Sequence, residues 1–216
     1  MGTFIFILVG AGAAVGALAQ GVSDPGASLI IAALANGLGI AMAVSATMGI
    51  SGGSLNPAIT IGLFVARKLQ LREVVPYILA ELSGAIAAVA ALVLLIPAAI
   101  GNPVNWGSPN LSGSLSVAQG IGLEALLTFV LAITVFGSAV DFRAPKVGGL
   151  AIGLAVVADV LFGGPLTGAA MNPARAMGPM LAGNFIPSYW YIYWVGPLIG
   201  AVATSLVYRF ALKTED

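Results

Sequence analysis

The sequence contains no cysteine and no histidine, and charged residues make up only 7% of its 216 residues. Without cysteine, disulfides and thiol chemistry are excluded. Without histidine, the commonest general base and metal ligand is missing, and we expect neither an enzyme nor a cofactor. A formal net charge of zero suggests no nucleic-acid partner. Soluble domains carry roughly a quarter charged residues, so this composition indicates an integral membrane protein.

Apolar residues are abundant instead, at 59% of the chain. A spanning helix needs roughly 20 apolar residues. The first apolar stretch begins at Met1 and lacks a basic flank. We therefore interpret it as a spanning helix whose cytoplasmic end is missing, and not as a cleaved signal peptide. Stretches of spanning length occupy residues 2–20, 28–49, 74–97, 117–140, 147–163 and 189–211.

The basic residues are distributed unevenly between the connections. The first and third connections, residues 21–27 and 98–116, contain none. Because cytoplasmic loops carry the excess of Lys and Arg, six spans with both termini cytoplasmic follow. The short termini suit a prokaryotic plasma membrane. Arg175 is the one basic residue outside this pattern; the others are Arg67, Lys68, Arg72, Arg143, Lys146, Arg209 and Lys213.

One motif occurs twice: SGGSLNPA at 51–58 aligns without a gap with TGAAMNPA at 167–174. Each copy lies between the second and third span of its half. We therefore predict repeat 1 at 1–97, a connecting loop at 98–116 and repeat 2 at 117–216. Three spans per repeat is an odd number, so the halves cross the membrane in opposite senses. Inverted repeats of this kind place their shared site near the bilayer midplane.

Each Asn-Pro pair predicts the start of a helix, because Asn is a strong N-cap and Pro suits the first helical position. The apolar segments that follow, 58–66 and 174–182, would be about 15 Å long, half of a bilayer core. We predict two re-entrant half-helices that meet at their N-termini. An ordinary extramembrane turn would explain one copy but not two. Residues 48–55 and 163–171 are expected to be irregular, facing protein or a water-filled cavity.

The two motifs resemble those of the aquaporin (major intrinsic protein) family, as do NPARAMGP at 172–179, YWVGPLIGA at 193–201 and QGIGLEALLTF at 119–129. The resemblance implies an all-α, right-handed bundle of six spanning helices and two half-helices. It also implies homotetramers with one pore per subunit, through which water passes passively and in both directions while ions are excluded. The pore centre would comprise Asn56, Pro57, Ala58, Asn172, Pro173 and Ala174, with both asparagine amides donating to the passing molecule.

By the same resemblance, a selectivity filter is expected at Asn36, Val160, Ala169 and Arg175. Water-selective members usually have Phe and His at the first two positions, so this filter would be wider. It is similar to the plant vacuolar and ammonia-permeable branches, which implies water plus ammonia or hydrogen peroxide. Alternatively, Asn36 is a packing amide and the filter stays water-selective. Glycerol or urea passage is less favoured, since Ala176 stands where glycerol channels usually have Asp.

Three acids lie within predicted spans, where carboxylates are functional candidates. Glu124 resembles a buried family acid that accepts hydrogen bonds from the second pore loop. Its counterpart in the first half would precede Met1, so either the chain begins earlier or the first loop lacks this support. Glu81 stands where relatives often have Gln and is also expected to be a structural buried acid, and Asp159 has no account from sequence. A proton-coupled transporter or a purely structural membrane protein is an alternative, but Arg175 is the only charged pore-loop residue.

Overall fold

The computed structural model describes residues 1–143 and 147–212, so Lys146 and Lys213 lie outside the described residues. It is all-helical there, in agreement with the predicted fold class. Six helical segments are long and apolar enough to span a membrane, which confirms the six predicted spans. The helices are α1 (Gly2–Ala19), α2 (Pro25–Ser51), α3 (Pro57–Val65), α4 (Leu71–Leu95), α5 (Ala98–Gly101), α6 (Val117–Val135), α7 (Gly148–Thr167), α8 (Pro173–Ala182) and α9 (Ile192–Val207). A 3₁₀ turn follows α5 (Asn102–Gly107), and π turns extend α6 (Phe136–Val140) and α9 (Tyr208–Leu212).

Two helix ends differ from the predictions. The second span continues to Ser51, and the fifth passes through the predicted stop at Gly163–Pro165 to end at Thr167. A proline near the end of a helix removes only one backbone hydrogen bond, so α7 tolerates Pro165. Each helix ends where a glycine adopts the left-handed conformation, at Gly52 and Gly168. The expected irregular segments are therefore only four residues each, 52–55 and 168–171.

The two half-helices, α3 and α8, begin at the predicted asparagine caps. The Asn56 side chain accepts a hydrogen bond from the Ala58 amide at 2.9 Å, and Asn172 caps Ala174 at the same distance. Both helices have proline in the first turn. With nine and ten residues, each rises only about 15 Å. Neither can cross a bilayer alone, which confirms the prediction of half-helices.

Glycines allow the helices to approach closely, as in many membrane bundles. A Cβ at Gly153 of α7 would lie 2.5 Å from the Gly37 carbonyl oxygen of α2. On α3, a Cβ at Gly62 would lie 2.9 Å from Ser205 Oγ of α9. On α8, a Cβ at Gly178 would lie 2.7 Å from Ala85 Cβ of α4. Each half-helix thus packs on the last span of the other predicted repeat; the repeat boundaries themselves stay a prediction.

The basic residues of the described loops gather at one end of the bundle, here called the basic end. The Lys68 ammonium lies 5.8 Å from the centre of the Tyr208 ring at the end of α9. The Phe136 ring at the end of α6 is 4.7 Å from the same ring. Beyond α6, hydrogen bonds from Arg143 lower the pKa of Asp141 to about 2. The loops at the opposite end, 20–24, 98–116 and 183–191, contain no Lys or Arg.

Candidate functional site

The two half-helices meet through a reciprocal pair of hydrogen bonds between their caps. Asn56 Nδ2 donates to the Met171 carbonyl at 2.9 Å, and Asn172 Nδ2 donates to the Leu55 carbonyl at 2.9 Å. Both asparagines are buried. Because each side-chain oxygen caps its own helix, the two amide groups and both helix N-termini are held at the same point inside the bundle.

The backbone before each cap adopts the left-handed conformation at matching positions. This conformation is costly for residues other than glycine and clusters at functional sites. Here it occurs four, three and one residues before the capping asparagine in both halves. Each loop therefore turns its last carbonyl towards the opposite asparagine. The φ values are 74° and 82° at Gly52 and Gly168, 61° and 43° at Gly53 and Ala169, and 52° and 54° at Leu55 and Met171.

Glu124 of α6 holds the second loop. Its Oε1 accepts hydrogen bonds from Thr167 Oγ1 at 2.7 Å and the Ala170 amide at 3.0 Å. Its Oε2 accepts from the Met171 amide at 2.7 Å. The residue is completely buried. The Met171 carbonyl also accepts a hydrogen bond from the side-chain amide of Asn56. Glu124 is therefore linked to the pore centre through a single residue.

Glu81 of α4 holds the first loop. Its Oε1 accepts hydrogen bonds from the backbone amide of Asn56 at 3.0 Å and from Thr60 Oγ1 at 2.8 Å. Its Oε2 has no partner among the described residues. The first loop therefore has a buried acid of its own from α4, a contact that was not predicted, while a counterpart acid before Met1 stays a prediction. Nothing in the local sequence showed that α4 would bring Glu81 against the cap of α3.

Three cavities follow one another through the bundle. A wide vestibule of about 440 Å³ opens at the end without basic residues. A central cavity of about 10 Å³ comes next, the size at which a cavity holds a single water. A third cavity of about 50 Å³, which we call the basic-end cavity, lies beyond. The vestibule and the central cavity share the lining residues Asn36, Val160 and Arg175. The central cavity and the basic-end cavity share Ile40, Asn56 and Leu131. Together the cavities trace one path past the two asparagines.

The four residues expected to form a filter all line the central cavity. Arg175, on the first turn of α8, donates from Nη1 to the Gly107 carbonyl at 3.0 Å. Asn36 Nδ2 donates to the Ala32 carbonyl one turn earlier in α2, at 2.9 Å. Val160 and Ala169 add only small apolar groups to the wall. The structure thus brings together a cation, an amide and two small apolar residues between the vestibule and the paired caps.

The loop that presents Gly107 to Arg175 is strained and anchored. Asn105, Trp106 and Gly107 are consecutive left-handed residues, with φ of 45°, 53° and 79°. The Trp106 ring is buried, and its Nε1 donates to Asn102 Oδ1 at 2.9 Å. Gly107 packs so closely on α1 that a Cβ there would lie 2.8 Å from Ala11 Cα. This partner of Arg175 is not predictable from the sequence, in which a tryptophan in an uncharged loop is the signal that marks the segment.

Asp159 differs from the other two buried acids. It is 4% exposed and its Oδ2 makes no hydrogen bond in the described part of the chain. It lines none of the three cavities, although the adjacent Val160 lines two of them. The described residues also contain no acid, histidine or cysteine cluster able to hold a metal ion. Asp159 therefore lies behind the wall of the path and not on it.

The sequence profile of the family described as "Major intrinsic protein" matches residues 1–208. The chain belongs to the major intrinsic protein family. "Aquaporin TIP4-4" of Zea mays is 42% identical over 211 residues, covering 95% of this chain and 81% of that one. "Probable aquaporin TIP-type alpha" of Phaseolus vulgaris is 41% identical over 219 residues, covering 97% and 82%.

A solved structure agrees with the fold. The X-ray structure of the aquaglyceroporin from Plasmodium falciparum superposes with a TM-score of 0.89, covering 98% of this chain and 93% of that one. Its sequence identity is only 24%, so it supports the architecture alone. As a major intrinsic protein, the chain is an integral membrane channel and not an enzyme.

Proposed function

We propose that this channel conducts water passively in both directions, admits small neutral solutes such as ammonia or hydrogen peroxide, and excludes protons and other ions. The observation that carries the proposal is the path of three cavities that passes between the paired caps of Asn56 and Asn172. The aquaporin relatives support water as the main permeant.

The paired caps provide hydrogen-bond donors at the narrow part of the path. An amide group has two N–H donors, and each asparagine gives one of them to the carbonyl of the opposite loop. The second N–H is left to donate to the oxygen of a passing water. A water held in this way points its own hydrogens outward to both sides. The hydrogen-bonded chain along which a proton could hop is then interrupted.

Helix electrostatics add to this barrier. Each half-helix N-terminus carries roughly +0.5 charge, and α3 and α8 direct both ends at the same point. Half-helix dipoles of this kind exclude protons and cations in aquaporin-type pores. In the described residues that line the central cavity, no carboxylate compensates this charge. A cation would therefore lose hydration without gaining a negatively charged partner. A neutral solute would not meet this electrostatic barrier.

The filter composition supports a solute range wider than water. Arg175 is held by the Gly107 carbonyl, and Val160 and Ala169, whose side chains are small, line the same cavity. Asn36 supplies an amide where a bulky aromatic group would close the path. Glycerol or urea passage is the alternative within the same family, and the small filter residues leave it as an outcome for experiment.

The proposal includes location and assembly. We place the channel in a plasma membrane with the basic end in the cytoplasm, because the basic loops lie together at that end. A homotetramer with one pore per subunit is part of the proposal on the basis of the family resemblance.

Proteoliposomes that contain the purified chain test the function. Stopped-flow light scattering would compare water, ammonia, urea and glycerol in the same preparation. We expect osmotic water permeability well above that of empty liposomes, with ammonia also raised. Permeability equal to that of empty liposomes for all four would contradict the proposal. Glycerol passing as readily as ammonia would favour the alternative.

Substituting Arg175→Val tests the filter assignment. We expect higher urea or proton permeability, because the fixed positive charge and its bulk are both removed. Arg72→Val, a change of the same type at an exposed position in the first turn of α4 at the basic end, serves as the control and should leave selectivity unchanged. If Arg175→Val leaves both solute and proton permeability unchanged, the assignment of Arg175 is wrong.

A further inference from the structure

The side chain of Asn36 lies directly against the backbone of α1 at Gly10. A Cβ built on Gly10 would be 2.5 Å from Asn36 Oδ1, 3.0 Å from Cγ and 3.4 Å from Nδ2. Oδ1 and Cγ of the carboxamide are therefore too close to leave room for a Cβ at position 10, while Nδ2 would be in ordinary van der Waals contact with it. The observed position of Asn36 requires glycine at this point of α1.

The orientation of this carboxamide is determined by one partner. The Ala32 carbonyl can only accept, so the nitrogen of Asn36 must face it, at 2.9 Å. Asn36 Oδ1 makes no hydrogen bond to any residue that the structure describes. The side chain is therefore held by a single bond within α2 and by its contact with Gly10.

The side of Asn36 away from α1 faces the path. Asn36 lines both the vestibule and the central cavity, as do Arg175 and Val160. The central cavity has only about 10 Å³. If the carboxamide moved away from α1, it would move into this narrow cavity. A displacement of less than the width of a methyl group would therefore reduce the passage substantially.

We propose that Gly10 is a positioning residue for the filter, which keeps the Asn36 carboxamide against α1 and so sets the aperture of the filter. The inference rests on the proposed function, because it takes Asn36 as part of the filter. The residue acts through Asn36 and does not itself line the three cavities. A sequence search for filter residues would not identify it, since it has no side chain and lies on another helix.

Four variants test the inference: Gly10→Ala, Gly16→Ala, Asn36→Ala and the double variant Gly10→Ala/Asn36→Ala. Gly16 is the matched control, because it lies on the same helix and a Cβ there would meet nothing within 4 Å. Each protein would be checked for monodispersity in detergent and then reconstituted. Osmotic water permeability and hydrogen peroxide uptake would be measured per reconstituted protein.

We expect Gly10→Ala to lower water permeability by about tenfold relative to Gly16→Ala, because the displaced amide narrows the filter. In the double variant, removal of the amide should restore permeability to the level of Asn36→Ala. Equal permeability of Gly10→Ala and Gly16→Ala would overturn the inference, and so would a double variant as slow as Gly10→Ala. A parent protein that conducts no water would instead overturn the proposed function, so the two failures are distinguishable.

Discussion

Replacing Glu124 with Gln tests how the second pore loop is held. The carboxylate accepts three hydrogen bonds: two at Oε1, from Thr167 and Ala170, and one at Oε2, from Met171. Glutamine has the same shape but only one acceptor oxygen. In its best orientation it keeps the two bonds at Oε1 and turns its NH₂ group towards the Met171 amide. Two donors then face each other in a fully buried site.

The loss of folding free energy follows from these two unpaired donors, the glutamine NH₂ group and the Met171 amide. A buried donor without a partner costs about 1–3 kcal/mol, so Glu124→Gln should destabilise the protein by about 2–6 kcal/mol. Folded proteins are stable by only about 5–15 kcal/mol, which makes this a large fraction. Because the Met171 carbonyl accepts the Asn56 amide at 2.9 Å, the movement should also reach the pore centre and lower water permeability.

Glu81→Gln is the matched control. Both hydrogen bonds to Glu81 end at Oε1, and Oε2 has no partner in the described structure. The glutamine oxygen can take over both bonds, and its NH₂ group can occupy the place of Oε2. We therefore expect a loss of about 1–3 kcal/mol, smaller than for Glu124→Gln, because both existing hydrogen bonds are kept and only the NH₂ group is left without a partner.

The assay is thermal unfolding of both variants and the parent in the same detergent, followed by water permeability after reconstitution. The account predicts a clearly lower unfolding temperature for Glu124→Gln than for Glu81→Gln. If both variants unfold at the same temperature as the parent, or if Glu81→Gln unfolds at the lower temperature, the hydrogen bonds assigned to Glu124 and Glu81 do not hold the two loops as described.

Two further predictions concern positions beside the path. Gly52 and Gly168 both have left-handed φ, but a Cβ would meet nothing within 4 Å at Gly52 and would lie 2.6 Å from Pro109 Cβ at Gly168. Gly168→Ala should therefore lower the unfolding temperature more than Gly52→Ala; equal shifts would contradict this. Asp159→Asn removes a buried carboxylate whose Oδ2 has no hydrogen-bond partner in the described structure. The variant should therefore have a higher unfolding temperature and unchanged water permeability. A loss of permeability would show that Asp159 acts in conduction.

The half-helices could be predicted from sequence because their signals are local. Asn56-Pro57 and Asn172-Pro173 each combine a strong cap with a residue suited to the first turn, and the structure begins α3 and α8 there. The ends of the preceding spans could not be placed as well. Glycine and Pro165 are ordinary stop signals, but in α7 packing keeps the helix intact to Thr167.

Contacts that join distant parts of the chain were not predictable in the same way. The Gly107 carbonyl bonds Arg175 from 68 positions away, and a backbone carbonyl has no sequence signature. Glu81 is an unremarkable acid until α4 packs beside α3 and places it against Asn56. The Gly10–Asn36 contact likewise depends on how α1 and α2 cross. Such features follow from tertiary packing, which local propensity does not determine.

The central claim is that neutral water passes between the caps of Asn56 and Asn172 while protons do not. The most direct measurement records osmotic water flux and internal pH together in proteoliposomes that contain the parent protein and a pH-sensitive dye. The account predicts water permeability far above that of empty liposomes, with no added proton flux under an imposed pH gradient. Water permeability equal to that of empty liposomes, or water flux accompanied by proton flux, would contradict it.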